Sequence, residues 1–478
     1  MVEKVRVPFF FNPLKSRLLQ VFVVAHLAFA LFLGEIFAFA PDERNYLGIF
    51  NKLYSFNFSL DGYVGWSSST PNYFLWIIYL PAKIFTLLGV PNFLALRAEA
   101  ILLGATSIYL LVCIWKKNSS RSKVQSLLLV TGIITPSVFL WNTLSLREEF
   151  IYLAFSVICS GFYLIYFEDR RFGGLLLFLG NLLLLNTKSY LLIVVIASLV
   201  YFLFYKLWKI RGFHFKEWLI LGCMLLPLIS NPGQSKQMYL TVASQFSQSS
   251  TYVLEELDTG TPGTPGTPGT PGTPGTPGTP GTPGTPGTPG TPGTPGTFLN
   301  PGTTVIVLAD ALRENPHAPL AEVIRFFGLE EKIQSLAKSA TLTLDKVNHD
   351  GDHSSRMSVS HAHLGNPLSV VTGSARFLFD PFPFIDNGSF FLNLLSYESF
   401  LWWFLYVMVG VTTWKRIRKR ELDDLAVFLL VFILGFVVFS AITEVNVGTL
   451  VRHRSVLLFP ILYFMLAPKR TGNLELPT

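Results

Sequence analysis

Apolar runs of membrane-crossing length recur along this chain, separated by short polar clusters. They fall at 18–40, 94–115, 124–141, 150–166, 173–185, 190–204, 218–230, 391–413, 425–441 and 456–467. A helix needs about 20 mostly apolar residues to cross the hydrocarbon core, so these runs predict about ten transmembrane helices, with 173–185 reaching the length only when its ends are included. One more apolar run, 72–90, contains Pro81 and Lys83 and is bracketed by Pro71 and Pro91. It predicts an interfacial or re-entrant segment, the alternative being an eleventh span.

Charge chooses between the two. Cytoplasmic loops of membrane proteins carry an excess of Lys and Arg. With the basic N-terminus inside and 72–90 not crossing, more than half of the 37 Lys and Arg fall in inner segments. The short outer loops then keep Arg44, Lys52, Lys83, Arg97, Arg147, Lys188, Arg452 and Arg454. An eleventh span reverses that bias after residue 90. The expected architecture is therefore an all-α polytopic membrane protein with both termini inside, in a bacterial inner membrane. Residues 1–230 form an N-terminal membrane domain, with interfacial helices in a first outer loop at 41–93. Residues 231–390 form a mainly helical outer region, and 391–478 the last spans.

Composition agrees: 50% of residues are hydrophobic, 14% are charged and mean hydropathy is +0.45, which excludes a single soluble core. The net charge of +7 lies in clusters between apolar runs, a topology signal rather than a nucleic-acid face. Cys113, Cys159 and Cys223 all sit inside apolar runs, with no disulfide or zinc spacing. The run at 18–40 ends in Ala38-Phe39-Ala40, as a signal peptide does, but it exceeds a usual signal core and Pro41 follows it; it reads as an uncleaved first span with Glu35 inside its helix.

Residues 261–296 repeat Thr-Pro-Gly without variation, placing glycine at every third position. That is the collagen period, and a polyproline-like spacer or disordered tract is the alternative. Around it, 304–313, 320–327 and 329–340 have helical periodicity. Residues 345–363 hold His349, Asp350, Asp352, His353, His361 and His363; such a set suits a divalent metal ion, or a polar loop with no ligand. The aromatic stretch 377–384 reads as interfacial.

Three ionic clusters converge on the outer side in this topology: Asp42-Glu43-Arg44, Arg147-Glu148-Glu149 and Arg452-His453-Arg454, with Lys188 as a further cation. Each alone also reads as a solvated helix end. Together they suit group transfer, a carboxylate taking a proton from an acceptor hydroxyl while Arg and Lys hold a departing phosphate. A first span followed by an Asp-Glu pair, then Leu88-Gly89-Val90-Pro91-Asn92-Phe93-Leu94-Ala95-Leu96-Arg97 and Pro136-Ser137-Val138-Phe139-Leu140-Trp141, resembles the GT-C superfamily of membrane glycosyltransferases over residues 18–210. That superfamily includes oligosaccharyltransferases, protein O-mannosyltransferases and lipid A aminoarabinose transferases.

The resemblance implies a polyprenyl-phosphate sugar donor and a glycan, lipid or protein acceptor. It makes Asp42 the base or acceptor-organising acid and Glu43 its neighbour, with Glu148 or Glu149 in the place of a second outer acid. Here Arg-Glu-Glu stands where the family has a lone Asp or Asp-x-Asp, which bears on metal dependence. Arg44, Arg97, Arg147, Lys188, Arg452, His453 and Arg454 are the candidate substrate contacts. Residues 446–454 with Pro460 are similar to polysaccharide-assembly membrane proteins, so an O-antigen-type polymerase is the rival, and a non-enzymatic transport or assembly protein the third reading.

Overall fold

The computed structural model describes residues 10–35, 42–54, 72–117, 123–210, 215–236, 367–384, 395–419, 421–443 and 447–466, with scattered positions between 238 and 393. Every regular element among them is a helix. The N-terminal part runs α1 (Arg17–Leu33), α2 (Asp42–Tyr54), α3 (Asn72–Ile78), α4 (Leu80–Leu87), α5 (Asn92–Lys117), α6 (Lys123–Ile134), α7 (Pro136–Thr143), α8 (Glu148–Phe167), α9 (Phe172–Thr187), α10 (Ser189–Ile210) and α11 (Phe215–Ser230). After it come α12 (Pro319–Phe326), α13 (Pro367–Phe379), α14 (Ser399–Arg418), α15 (Asp424–Thr443), α16 (Val447–Val456) and α17 (Leu458–Leu466).

Four of these are long and apolar enough to cross a membrane: α5, α8, α10 over Ser189–Leu207, and α15 over Asp424–Ile442. The pair α6–α7 makes a fifth if it is one span. The expected continuous helix at 124–141 is thus broken, with a 52° bend between α6 and α7. Pro136 is the reason. Its ring lacks an N–H and clashes with the preceding turn, yet suits the first turn of a new helix. The expected final helix at 456–467 is present as α17 over Leu458–Leu466, and Leu457 separates it from α16, because Pro460 has no N–H to give the Val456 carbonyl. The first helix stops at Leu33, and Gly34, with φ +56°, turns the chain, so Glu35 lies beyond the helix and is exposed.

The run at 72–90 forms two short helices rather than one long one. Ile77, Leu80, Ile84, Leu87 and Leu88 are exposed along one side while Phe74, Leu75, Ile78, Tyr79 and Ala82 are buried. Gly89, φ +87°, ends α4; its N–H donates to Thr86 O (3.0 Å) and that of Val90 to Phe85 O (3.1 Å), a left-handed cap open to glycine. Of the expected outer helices, 320–327 is matched by α12. The repeat at 261–296 and the cluster at 345–363 lie outside the described residues, as does most of 304–313 and 329–340.

The core is built on α8, which packs along α9 and α5. Glycine sets the first contact: a Cβ on Gly161 would come within 2.6 Å of Gly173 O, and one on Gly180 within 2.9 Å of Ala154 O. Small residues at such crossings let two backbones meet, the usual means of packing helices where the surroundings are as apolar as the side chains. The aromatic stretch after α13 docks on α14, with the Phe382 and Trp403 ring centres 5.9 Å apart and those of Phe384 and Phe400 5.9 Å apart.

Candidate functional site

The first turn of α8 carries Glu148 and Glu149, acids placed where a helix N-terminus favours negative charge. Both are buried. Arg452 of α16 reaches Glu148 from the far end of the sequence; its Nη2 donates to Oε2 (2.7 Å) and its Nε lies 2.6 Å from Oε1. Next to Arg452, His453 meets the ammonium of Lys188, from the turn joining α9 to α10, and its Nε2 lies 3.4 Å from the Tyr190 hydroxyl. Ser455 Oγ donates to Arg452 O (2.6 Å) and meets the Tyr152 hydroxyl (2.5 Å). Arg147, just before α8, donates from Nε to the Tyr46 hydroxyl of α2 (3.0 Å).

Five of the expected site residues, Arg147, Glu148, Lys188, Arg452 and His453, therefore interact in one ionic centre, in which Arg147 and Lys188 are half-buried and the others buried, and Glu149 interacts electrostatically with Glu148 and Arg452. Cations outnumber carboxylates there. Burying charge is costly unless it is paired, and a cation surplus in a site shielded from water suits an anion such as phosphate.

The other expected residues take different places. Glu43 and Arg97 form a bidentate pair, Nε to Oε1 at 2.8 Å and Nη2 to Oε2 at 2.9 Å, and both are buried. Arg97 also donates to Gly34 O (2.5 Å) and Ala30 O (3.3 Å), which closes the end of α1. Glu43 Oε1 accepts the Ser145 N–H (3.0 Å) in the turn leading to Arg147. This pair supports the centre without facing it. Arg454 is two residues from Arg452, about 200° around the helix, and points away. It donates to Asp380 O (2.6 Å) and lies 5.4 Å from the Trp402 ring, tying α16 to the segment after α13. Arg44 is exposed on α2. The Asp42 side chain lies outside the described residues.

Two acids belong to the structure that the sequence reading passes over. Glu398, at the start of α14, accepts from Ser137 N (2.7 Å), Ser137 Oγ (2.6 Å) and Trp402 Nε1 (2.6 Å), and so caps α7. Glu99, inside the expected span at 94–115, is buried near Tyr54, Tyr79 and Glu149. Its signal was available, since a carboxylate within an apolar run is a functional candidate by default. Burial pushes the Tyr54 hydroxyl up to about 12, with the charge of Glu99 adding to it; Tyr54 stays a neutral donor at neutral pH.

Among the described residues, no three His, Cys, Asp or Glu side chains are placed to hold a metal ion, and His349, Asp350, Asp352, His353, His361 and His363 lie outside those residues. Compared with known proteins, residues 258–304 match the family described as Collagen triple helix repeat (20 copies). That match covers the Thr-Pro-Gly tract and leaves the helical regions aside. No curated protein and no solved structure matches the chain.

Proposed function

We propose that the chain is a multi-pass membrane glycosyltransferase that moves a sugar from a polyprenyl-phosphate donor to an acceptor at the outer face, in cell-surface glycan assembly. About ten spans with both termini inside follow the charge asymmetry. The observation that carries the reading is the centre at the start of α8, where Arg147, Lys188, Arg452 and His453 meet Glu148 and Glu149, all from short segments assigned to the outer side. In this reading the cations hold the donor phosphate and stabilise its charge as the anomeric bond breaks. Glu149 takes the acceptor proton. Glu148 is engaged by Arg452 and orients it, while Glu43 and Arg97 hold the turn that carries Arg147.

The test is sugar transfer from lipid-linked donor in membranes carrying the full chain, with Glu149→Gln and Asp42→Asn compared at equal protein level. Loss of transfer in Glu149→Gln supports the assignment; full transfer in that variant removes it. An O-antigen-type polymerase remains the second reading, favoured by the weight of cations over carboxylates in the centre. It is separated by product: a polymerase variant at Arg147 or Arg452 shortens the surface glycan, whereas loss of a single-sugar transferase leaves chain length unchanged and one residue missing.

A further inference from the structure

Glu99 is a buried titratable group to which the proposed reaction gives no role. It lies on α5 at 2% exposure, and neither carboxyl oxygen has a hydrogen-bond partner. The Ala82 amide, at the start of α4, faces it without closing a hydrogen bond of normal geometry. Glu149 on α8 is 1% exposed, its Oε2 likewise has no partner, and the two carboxyls are electrostatically coupled. The titratable and charged groups facing the pair are Tyr54 of α2 at Glu99, Tyr79 between α3 and α4 at both acids, and Tyr152, Glu148 and its partner Arg452 at Glu149; Tyr46 and Arg147 face Tyr79. Arg452 is already committed to Glu148, and Arg147 to Tyr46.

A carboxylate accepts hydrogen bonds and cannot donate them. Left buried without a hydrogen bond it is costly, and two such groups near one another do not both ionise. We infer that Glu99 and Glu149 form a dyad holding one proton, on Glu99, which leaves Glu149 as the carboxylate that receives the acceptor's proton. The second half rests on the transfer reaction proposed above. In that step the acceptor oxygen bonds to the anomeric carbon as its O–H proton passes to Glu149. The anomeric carbon–oxygen bond to phosphate breaks, and its electron pair leaves with the phosphate. Loss of the Glu149 proton to water restores the dyad. Glu99 keeps the site at one negative charge, so that Glu149 is ionised when the acceptor arrives.

The test uses the full chain in liposomes without substrate. The infrared carbonyl band of a protonated carboxylic acid should be present, and it should be lost in Glu99→Gln and kept in Glu149→Gln. Dicyclohexylcarbodiimide, which modifies protonated carboxyls in apolar surroundings, should attach to Glu99 of the unaltered chain, as read by mass spectrometry. A band unchanged by Glu99→Gln, or Glu99 left unmodified, overturns the dyad. If Glu99→Gln does not fold, the labelling of the unaltered chain decides. Because the infrared and labelling results need no activity, a dyad without transfer would remove only the proposed reaction, and transfer without the dyad only this inference.

Discussion

Buried ion pairs occupy both ends of α8, a helix of 20 residues, and they differ in kind. Around Tyr166 near its C-terminal end, Lys206 Nζ lies 2.8 Å from Asp424 Oδ2 and 3.7 Å from Glu217 Oε1, and Tyr166 donates to Glu217 (3.0 Å). Both carboxylates have partners there, Asp424 is 19% exposed, and the group ties together the ends of α8, α10, α11 and α15. At the Glu148 end, Arg147, Lys188 and Arg452 face fewer carboxylates, Glu148 is fully buried, and Glu149 keeps an oxygen without a partner. A bundle held together by charge needs only the first arrangement. The second leaves interactions incomplete in a low-dielectric site, which is where chemistry is found more often than structure.

The sharpest way to break this contrast is to remove one partner of the pair at the Glu148 end. Arg452→Met should destabilise the chain by about 3–5 kcal/mol, because Glu148 is left buried without its counter-charge. Thermal unfolding in detergent measures it, and the double variant Glu148→Gln/Arg452→Met should recover much of the loss. Glu149→Gln should act on the reaction instead, lowering transfer at least 100-fold with little change in unfolding temperature. Lys206→Met at the other end should show the converse. A cost of about 1.5–3 kcal/mol in unfolding, with transfer per folded molecule unchanged, is expected. If Lys206→Met removes transfer from a folded chain, the division between the two ends is wrong. Tyr46→Phe, which deletes one hydrogen bond to Arg147, should cost about 1 kcal/mol and raise the donor concentration needed for half-maximal rate. Arg44→Ala, on the exposed side of α2, should stay within about 0.5 kcal/mol and leave transfer intact.

Much of this protein is legible along the chain. The apolar runs mark α5, α8, α10 and α15, since burial of such runs in helices is what an apolar medium demands. Lys116 and Lys117 mark the end of α5. Pro136 lies at the break between α6 and α7, yet 124–141 reads as one span, because a proline tolerated in a span and one that starts a new helix look alike in one dimension. The candidate acids and cations could also be named, though not sorted. Arg452 and Arg454 read as one cluster, and the helix turns them to opposite sides. Glu43 reads as a neighbour of Asp42, yet its partner is Arg97, 54 positions away. Glu99 is legible as a carboxylate within an apolar run, but not its nearness to Glu149, 50 positions on.

Local sequence decides where this chain is helical, because helix formation depends on near neighbours and on prolines and glycines that interrupt it. Which charges meet was left to the packed structure. A pair such as Glu148 and Arg452 exists only once the rotation of two helices, and the close crossing at Gly161 and Gly173, have brought residues 304 positions apart into contact. Those rotations are set by side-chain volume over the whole bundle, a quantity that no stretch of the chain carries alone.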